Sequence, residues 1–304
     1  MSMFKKTTLA LAISALAGGA LAQSAPAPAP APATSPITAN VTVVNDYRYR
    51  GISQSNLQPA IQGGFDYAHE SGFYIGNWNS SISWISDAYG QNGSAGGNGS
   101  AGKAISAPVE MDFYAGFKKE LIAPGFASDI GVLQYYYPTS SSPWKQISPQ
   151  AANPNTTELY VAQNFTFGPL SGFVKVSYSV STLFGFANST GSYYPDLTVN
   201  YDTGIWGLTL NGHVGYQFIA GNIPNGTTTW AAGASIPNGT SNSSVYSYTD
   251  YKLGVTKDFG GGLSANISYV GTDAKTYRGG YAYTNPNGKN LGGSTGLISL
   301  TKTF

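Results

Sequence analysis

In segment after segment of this chain, apolar and polar side chains alternate with a period of two. The clearest run sets Leu208, Leu210, Gly212, Val214, Tyr216 and Phe218 against Thr209, Asn211, His213, Gly215 and Gln217. A second sets Val109, Met111, Phe113, Ala115 and Phe117 against Glu110, Asp112, Tyr114, Gly116 and Lys118, and a third opposes Leu263, Ala265, Ile267 and Tyr269 to Ser264, Asn266 and Ser268. Period two belongs to a β-strand whose faces meet different surroundings. Such segments fall near 37–48, 59–68, 73–84, 109–118, 128–137, 156–166, 172–180, 193–201, 207–218, 246–256, 263–271 and 295–304. Most have the roughly 9–11 residues that a tilted strand needs to cross hydrocarbon. After Ala22 no apolar run reaches the ~20 residues of a membrane helix. The phase is ambiguous near 73–84, 128–137 and 156–166, where apolar residues sit on both faces.

The connections alternate in length. Short ones fall at His69–Gly72, Phe167–Ser171, Asp202–Trp206 and Lys257–Gly262, with a slightly longer one at Lys119–Ala127. Long ones fall at Tyr49–Gln58, Ile85–Pro108, Pro138–Asn155, Ser181–Ser192, Ile219–Val245 and Thr272–Ser294. An even number of strands with both ends on the periplasmic side puts every long loop outside, as in an antiparallel up-and-down transmembrane β-barrel of about twelve strands. A soluble β-sandwich also alternates, but it buries one face of each strand and shows charge on the other. Here the polar faces are Ser, Thr, Asn and Gly with few charges, which suits a lumen.

Composition agrees. Charged residues make up 10%, against roughly 25% in ordinary soluble proteins, while mean hydropathy is only −0.12. There are 22 Tyr, 39 Gly and no Cys, which excludes disulfides and thiol chemistry. Met1–Ala22 carries Lys5 and Lys6, then a short apolar run and Ala20-Leu21-Ala22, the plan of a cleaved secretory signal. The Ala-Pro repeats of Gln23–Pro36 read as an extended linker, leaving 37–304 as the barrel. The formal charge of +1 becomes −1 once the two lysines are removed (+1 − 2), so nothing favours nucleic acid.

Asn45-Asp46-Tyr47-Arg48-Tyr49-Arg50-Gly51-Ile52-Ser53-Gln54-Ser55, Pro59-Ala60-Ile61-Gln62-Gly63-Gly64-Phe65-Asp66-Tyr67 and Gly72-Phe73-Tyr74-Ile75-Gly76-Asn77-Trp78 lie close together near the start of the barrel. With Glu110-Met111-Asp112, Leu210–Tyr216 and Tyr248–Val255 they resemble the TorF family of porin-type proteins, of the Gcw_chp class of conserved exported proteins. The resemblance spans nearly all strands and lapses in the long loops. It implies an outer-membrane barrel and a channel, and it supplies no catalytic residues. The end, Ile298–Phe304, looks like the terminal strand read by the barrel-assembly machinery, with Phe304 last and Lys302 where an aromatic residue is common.

Strand phase nominates the lumen residues: Asp46, Arg48 and Arg50 from the first strand, Glu110, Asp112 and Lys118 from the fourth, Asn211 and His213 from the ninth, and Asp250 and Lys252 from the tenth. Inward charges select ions and small solutes through their fields, or pair across a narrow barrel and fill it. Tyr47, Tyr49, Tyr67, Phe73, Trp78, Trp84, Tyr135, Tyr137, Trp206, Tyr216 and Phe218 lie near strand ends and read as interface girdles. Gly97–Ala104 nearly matches a phosphate-binding loop but lacks the closing hydroxyl residue and a helix to open. His69 falls in a turn and His213 on the lumen face, too far apart for a metal site. A barrel lipid hydrolase would need His213 outward beside a Ser.

The expectation is therefore a non-enzymatic outer-membrane channel without cofactor, in contact with lipid, the assembly machinery and small polar solutes or ions. A closed barrel acting as a structural, adhesive or receptor protein through its long loops is the alternative. The Ala-Pro linker does not resemble a plug domain, so active uptake is not expected.

Overall fold

The computed structural model describes residues 35–89, 92–93, 97–98, 106–139, 152–224, 228–229, 235–277 and 279–304. The leader, most of the linker and the stretch 99–104 of the glycine-rich loop lie outside these.

Twelve strands close into one antiparallel barrel. They are β1 (Ile37–Val44), β2 (Ala60–Ala68), β3 (Phe73–Ser81), β4 (Val109–Ala123), β5 (Phe126–Tyr136), β6 (Thr156–Phe167), β7 (Leu170–Ser179), β8 (Tyr193–Asp202), β9 (Leu208–Gln217), β10 (Tyr248–Gly260), β11 (Leu263–Thr272) and β12 (Thr295–Thr303). Each pairs with its neighbours in chain order, and β12 closes the ring on β1 from Asn40 opposite Thr303 to Val44 opposite Ser299. All twelve expected segments are strands. Two short connections are tighter than expected. β4 and β5 continue their pairing to Ala123 opposite Phe126 across a bulge, and β10 and β11 do so to Gly260 opposite Leu263.

Polarity is inverted relative to a soluble protein. Outward side chains such as Ile61, Phe65, Ile130, Leu210, Leu253, Ile267 (64% exposed) and Leu300 are apolar and open. Inward ones such as Thr42, Gln62, Glu110, Asp196, Asp250 and Asn266 are buried. The three ambiguous segments now have a phase. Tyr74, Trp78 and Ser80 point in from β3, Leu133 and Tyr135 from β5, and Glu158 and Tyr160 from β6, while Ile75, Val132, Tyr136, Leu159 and Val161 are exposed outside. These segments looked apolar on both faces because their lumen side is filled by large aromatic and aliphatic groups.

The outward aromatic residues near strand ends differ from the expected set. Phe73, Trp206 (81% exposed) and Tyr216 are outside as expected, joined by Phe167, Tyr178, Tyr201, Phe259 and Phe304. Tyr67 and Phe218 are half-buried. Tyr47, Trp78, Tyr135 and Tyr137 are not girdle residues: they are buried inside, with Tyr49 and Trp84 packed against them. Outward lysines mark the rim of the short turns, where Lys257 reaches Trp206 O and Lys302 reaches Gly261 O. That is the snorkelling geometry of a long cationic stem.

Glycine makes room for the inward tyrosines. A Cβ on Gly76, Gly116, Gly131 or Gly215 would overlap the ring or hydroxyl of Tyr114, Tyr74, Tyr160 or Tyr194 respectively. Each phenol therefore occupies the space over a glycine of the adjoining strand, the aromatic cover known from other sheets. Gly215→Ala should cost about 1–3 kcal/mol through overpacking. Gly296→Ala, on open space, should stay within about 0.5 kcal/mol. Urea titration of the barrel in vesicles, read by tryptophan fluorescence, checks the contrast, and equal shifts would refute the packing described.

Candidate functional site: the lumen and the hairpin that enters it

The first strand is shorter than its alternation suggests. It stops at Val44, and the Asn45 side chain then bonds to β12, accepting from Ile298 N and donating to Gly296 O. Beyond it the chain folds into the barrel as a miniature hairpin, Arg48–Tyr49 against Ile52–Ser53. Its two central residues, Arg50 (φ 46°) and Gly51 (φ 76°), both take the left-handed conformation, which two-residue type I′ turns require. Gly51 also sits too close to Thr272 and the Asp250 Cβ for a side chain. Asp46 and Arg48 are thus not lumen residues of a strand, as their phase implied. They brace the hairpin. Arg48 Nε meets Asp46 Oδ2 at 2.6 Å, and its Nη1 donates to the carbonyls of Gly51, Leu291 and Gly293 at 3.0, 2.8 and 3.0 Å. Ser53 Oγ donates to Asp46 Oδ1 at 2.6 Å.

Arg50 at the tip crosses the lumen. Its Nη2 meets Glu158 Oε2 at 2.7 Å, its Nη1 donates to Gln217 Oε1, and its guanidinium carbon lies 4.1 Å from the centre of the Tyr194 ring. Burial works against its charge, but Glu158, Tyr49 and Tyr135 together outweigh it and raise the pKa, so the tip stays cationic.

Around the hairpin lies an acidic group within a tyrosine cage. Glu110 accepts from the hydroxyls of Tyr47 at 2.6 Å and Tyr137 at 2.8 Å. Burial, reinforced by Glu110, pushes both phenols up, so both remain donors. Glu158 also accepts from Tyr135 at 3.3 Å. Asp112, fully buried, bonds to no protein group through either carboxylate oxygen.

A second constellation runs along the wall from β7 to β10. Lys175 Nζ lies 3.3 Å from Asp196, Asp196 lies 3.4 Å from His213 Nδ1, and His213 Nε2 lies 2.9 Å from Asp250. Tyr194 donates to Asp250 at 2.9 Å. Below it Asn211 joins Asn200, Thr256 and Asn266 in a neutral network, and Thr42 meets Thr301 at 2.8 Å. Lys118 and Lys252 are inward and half-buried. Among the described residues no hydrogen bond or ion pair engages Lys252.

Glu110, Asp112, Lys118, Asn211, His213, Asp250 and Lys252 face inward from their strands, whereas Asp46, Arg48 and Arg50 belong to the hairpin. Glu158, Lys175, Asp196 and the four glycine-covered tyrosines are lumen residues not singled out in sequence, though the parity of β7 and β8 places Lys175 and Asp196 inward. His213 faces two carboxylates rather than a serine, and His69 meets the Ser71 hydroxyl at 2.8 Å in its exposed turn. Among the described residues no cluster of three or more His, Asp or Glu could hold a metal. Phe304 is exposed at the rim, its backbone N bonded to Ala39 O at 2.8 Å.

A closed antiparallel barrel of twelve strands, apolar outside and charged within, defines the class of protein. The chain belongs to the bacterial family described as "Bacterial protein of unknown function (Gcw_chp)", matched over residues 28–246 and 219–304. That description does not carry the TorF name. No curated protein matches the chain. Among solved structures it is similar to the KdgM porin (8% identity, 88% of this chain and 98% of that chain, TM-score 0.46) and the NanC porin (10% identity, 88% and 98%, TM-score 0.46). It is also similar to the outer membrane protein OpdK from Pseudomonas aeruginosa (8% identity, 81% and 58%, TM-score 0.38).

Arg50→Ala should destabilise the barrel by about 3–5 kcal/mol, because Glu158 is left buried without its cation. Adding Glu158→Gln should recover part of the loss. Urea midpoints of the two variants measure this, and a single-variant loss below about 1 kcal/mol with no recovery would show that the pair does not hold the hairpin.

Proposed function

We propose that the protein is an outer-membrane channel through which small polar solutes or ions diffuse passively. The observation that carries this is the segregation of side chains by strand parity: hydrocarbon-compatible groups outside, charges and amides inside, in a sheet with no edge. Only a lipid surround makes both faces favourable at once. The Arg50 hairpin forms the constriction. Lys252 faces the lumen with no carboxylate paired to it among the described residues, so where it is charged it adds a field that favours anions, against the opposite field of the unpaired Asp112. Phe304 at the rim suits a partner role for the barrel-assembly machinery, and the N-terminal leader would direct export.

One observation favours a second reading, a closed barrel acting through its loops. The interior around the hairpin is packed with Tyr47, Trp78, Tyr135 and Tyr137, and on the long-loop side Leu183, Ile219, Ile236 and Val245 form a further buried cluster. Twelve strands lie between barrels filled by side chains and those of 16–18 strands that leave a channel.

Planar-bilayer recording separates the two. Discrete conductance steps are expected from the purified mature protein, with a reversal potential under a KCl gradient that moves towards cation preference in Lys252→Glu. A well-folded sample that passes no current, with Arg50→Ala equally silent, would eliminate the channel.

A further inference from the structure

The first long loop has an unusual backbone. Among the described residues six other than glycine have positive φ, and three of them, Arg50 (φ 46°), Asn56 (φ 55°) and Leu57 (φ 62°), fall between positions 50 and 57. Asn tolerates this left-handed region, whereas Arg and Leu are strained in it. Such strain persists only where the surroundings hold it, and it gathers at clamps and switch segments. The hairpin Arg48–Ser53 leaves the wall and crosses the lumen, so a few contacts hold it.

The last long loop, between β11 and β12, clamps this segment. Ser53 N donates to Leu291 O at 2.9 Å, beside the bonds of Arg48 to Leu291 and Gly293. Ile52 and Leu291 are buried together with Tyr248, with Leu57 packed against them, and a Cβ on Gly292 would lie 2.9 Å from Ile52 Cδ1. The base of the hairpin is fixed separately, just past β3, where Gln54 O accepts from Ser83 N at 2.9 Å and Trp84 N at 3.1 Å. One buried side chain ties the clamp to the outside. Asn285 accepts through Oδ1 from Asn287 N at 3.0 Å and Lys289 N at 2.9 Å, and donates through Nδ2 to Asn56 Oδ1 at 2.6 Å. Asn287, Gly288 and Lys289 are exposed. The same amide thus shapes an exposed turn and grips the strained stretch.

We propose that the hairpin is a strained strap latched across the lumen by Asn285, and that loosening this latch from the outer turn lets the strap swing out of the constriction. The parts such a device needs are present. Gln54 anchors the base, Glu158 and Gln217 hold the Arg50 tip, and release would relieve the strain at Arg50 and Leu57. Hinge motions are absorbed by a few loop residues that change φ and ψ, and the left-handed positions lie on either side of Gln54. The inference rests on the channel reading above and adds its regulation, a constriction whose closure is set by the last outer loop.

In planar bilayers the unmodified protein should show brief excursions from its main conductance to a larger level as voltage rises. Asn56→Gly keeps a residue at ease in the left-handed region and removes the latch bond, so excursions should become at least several-fold more frequent. Asn56→Cys with Asn285→Cys, joined by a one-carbon bis-thiosulfonate reagent in a chain with no other cysteine, should abolish them until the link is reduced. A second readout needs no current. Trypsin added to vesicles should release the fragment ending at Arg50 several-fold faster from Asn56→Gly, and several-fold more slowly from the linked protein than from the same protein reduced. Equal release from all of these, or excursions that the link leaves unchanged, overturns the strap. If Asn56→Gly fails to fold, the linked and reduced forms of the double variant still decide. Current absent from every sample, with the trypsin contrast intact, defeats the channel reading instead, so the two failures are distinguishable.

Discussion

Closure of the sheet is the constraint from which everything else follows. Pairing of β12 with β1 removes the last free edge, and a spanning sheet must lose its edges because unpaired N–H and C=O groups in hydrocarbon cost several kcal/mol each. Once the ring is closed, strand parity alone sorts side chains between two solvents. The lysines of the short-turn rim and the aromatic residues near strand ends then settle where those solvents meet. A one-residue slip in any strand would exchange its two faces, which is why alternation is maintained so strictly in β9 and β11.

The ring encloses more space than small polar side chains can fill. Two devices occupy it. Inward tyrosines lie over glycines of the next strand, which thickens the wall without forcing strands apart. A hairpin from the first long loop then carries Arg50 to Glu158 and Gln217 on the opposite side. Burying a guanidinium is costly unless a carboxylate and further acceptors meet it. Here the hairpin supplies its own brace through Arg48 and Asp46. The run Asn45–Ser55 therefore reads as one instruction: stop the strand, turn inward, and hold the tip by charge.

Much of this was legible from residues alone. Alternation marks the strands, with the phase open near 73–84, 128–137 and 156–166, and its parity puts Glu110, Asp112, His213 and Asp250 on the polar faces that turn inward. It failed at Asp46, Arg48 and Tyr47, because alternation continues across Asn45 although the backbone does not. Arg-Gly is a weaker signal for a type I′ turn than Asn-Gly, so nothing local announced the hairpin. Tyrosine misled in a different way. Its amphipathic ring suits a membrane interface and a wet lumen equally, and only the glycine on the neighbouring strand distinguishes the two. That neighbour is known only once register is known, which is also why Tyr74, Tyr160 and Tyr194 are not singled out and Tyr114 is placed only by its parity.

The wall from β3 to β6 is unusual on both faces, and the two peculiarities meet in one strand. Inside, β4 and β6 carry the acidic group of Glu110, Asp112 and Glu158. Outside, β3, β5 and β6 carry the amides. Asn77, facing out, donates to the backbone carbonyl of Asp112, whose side chain faces in without a protein partner. Here one hydrogen bond of 2.9 Å joins the outer surface to the strand that forms the constriction's acidic side.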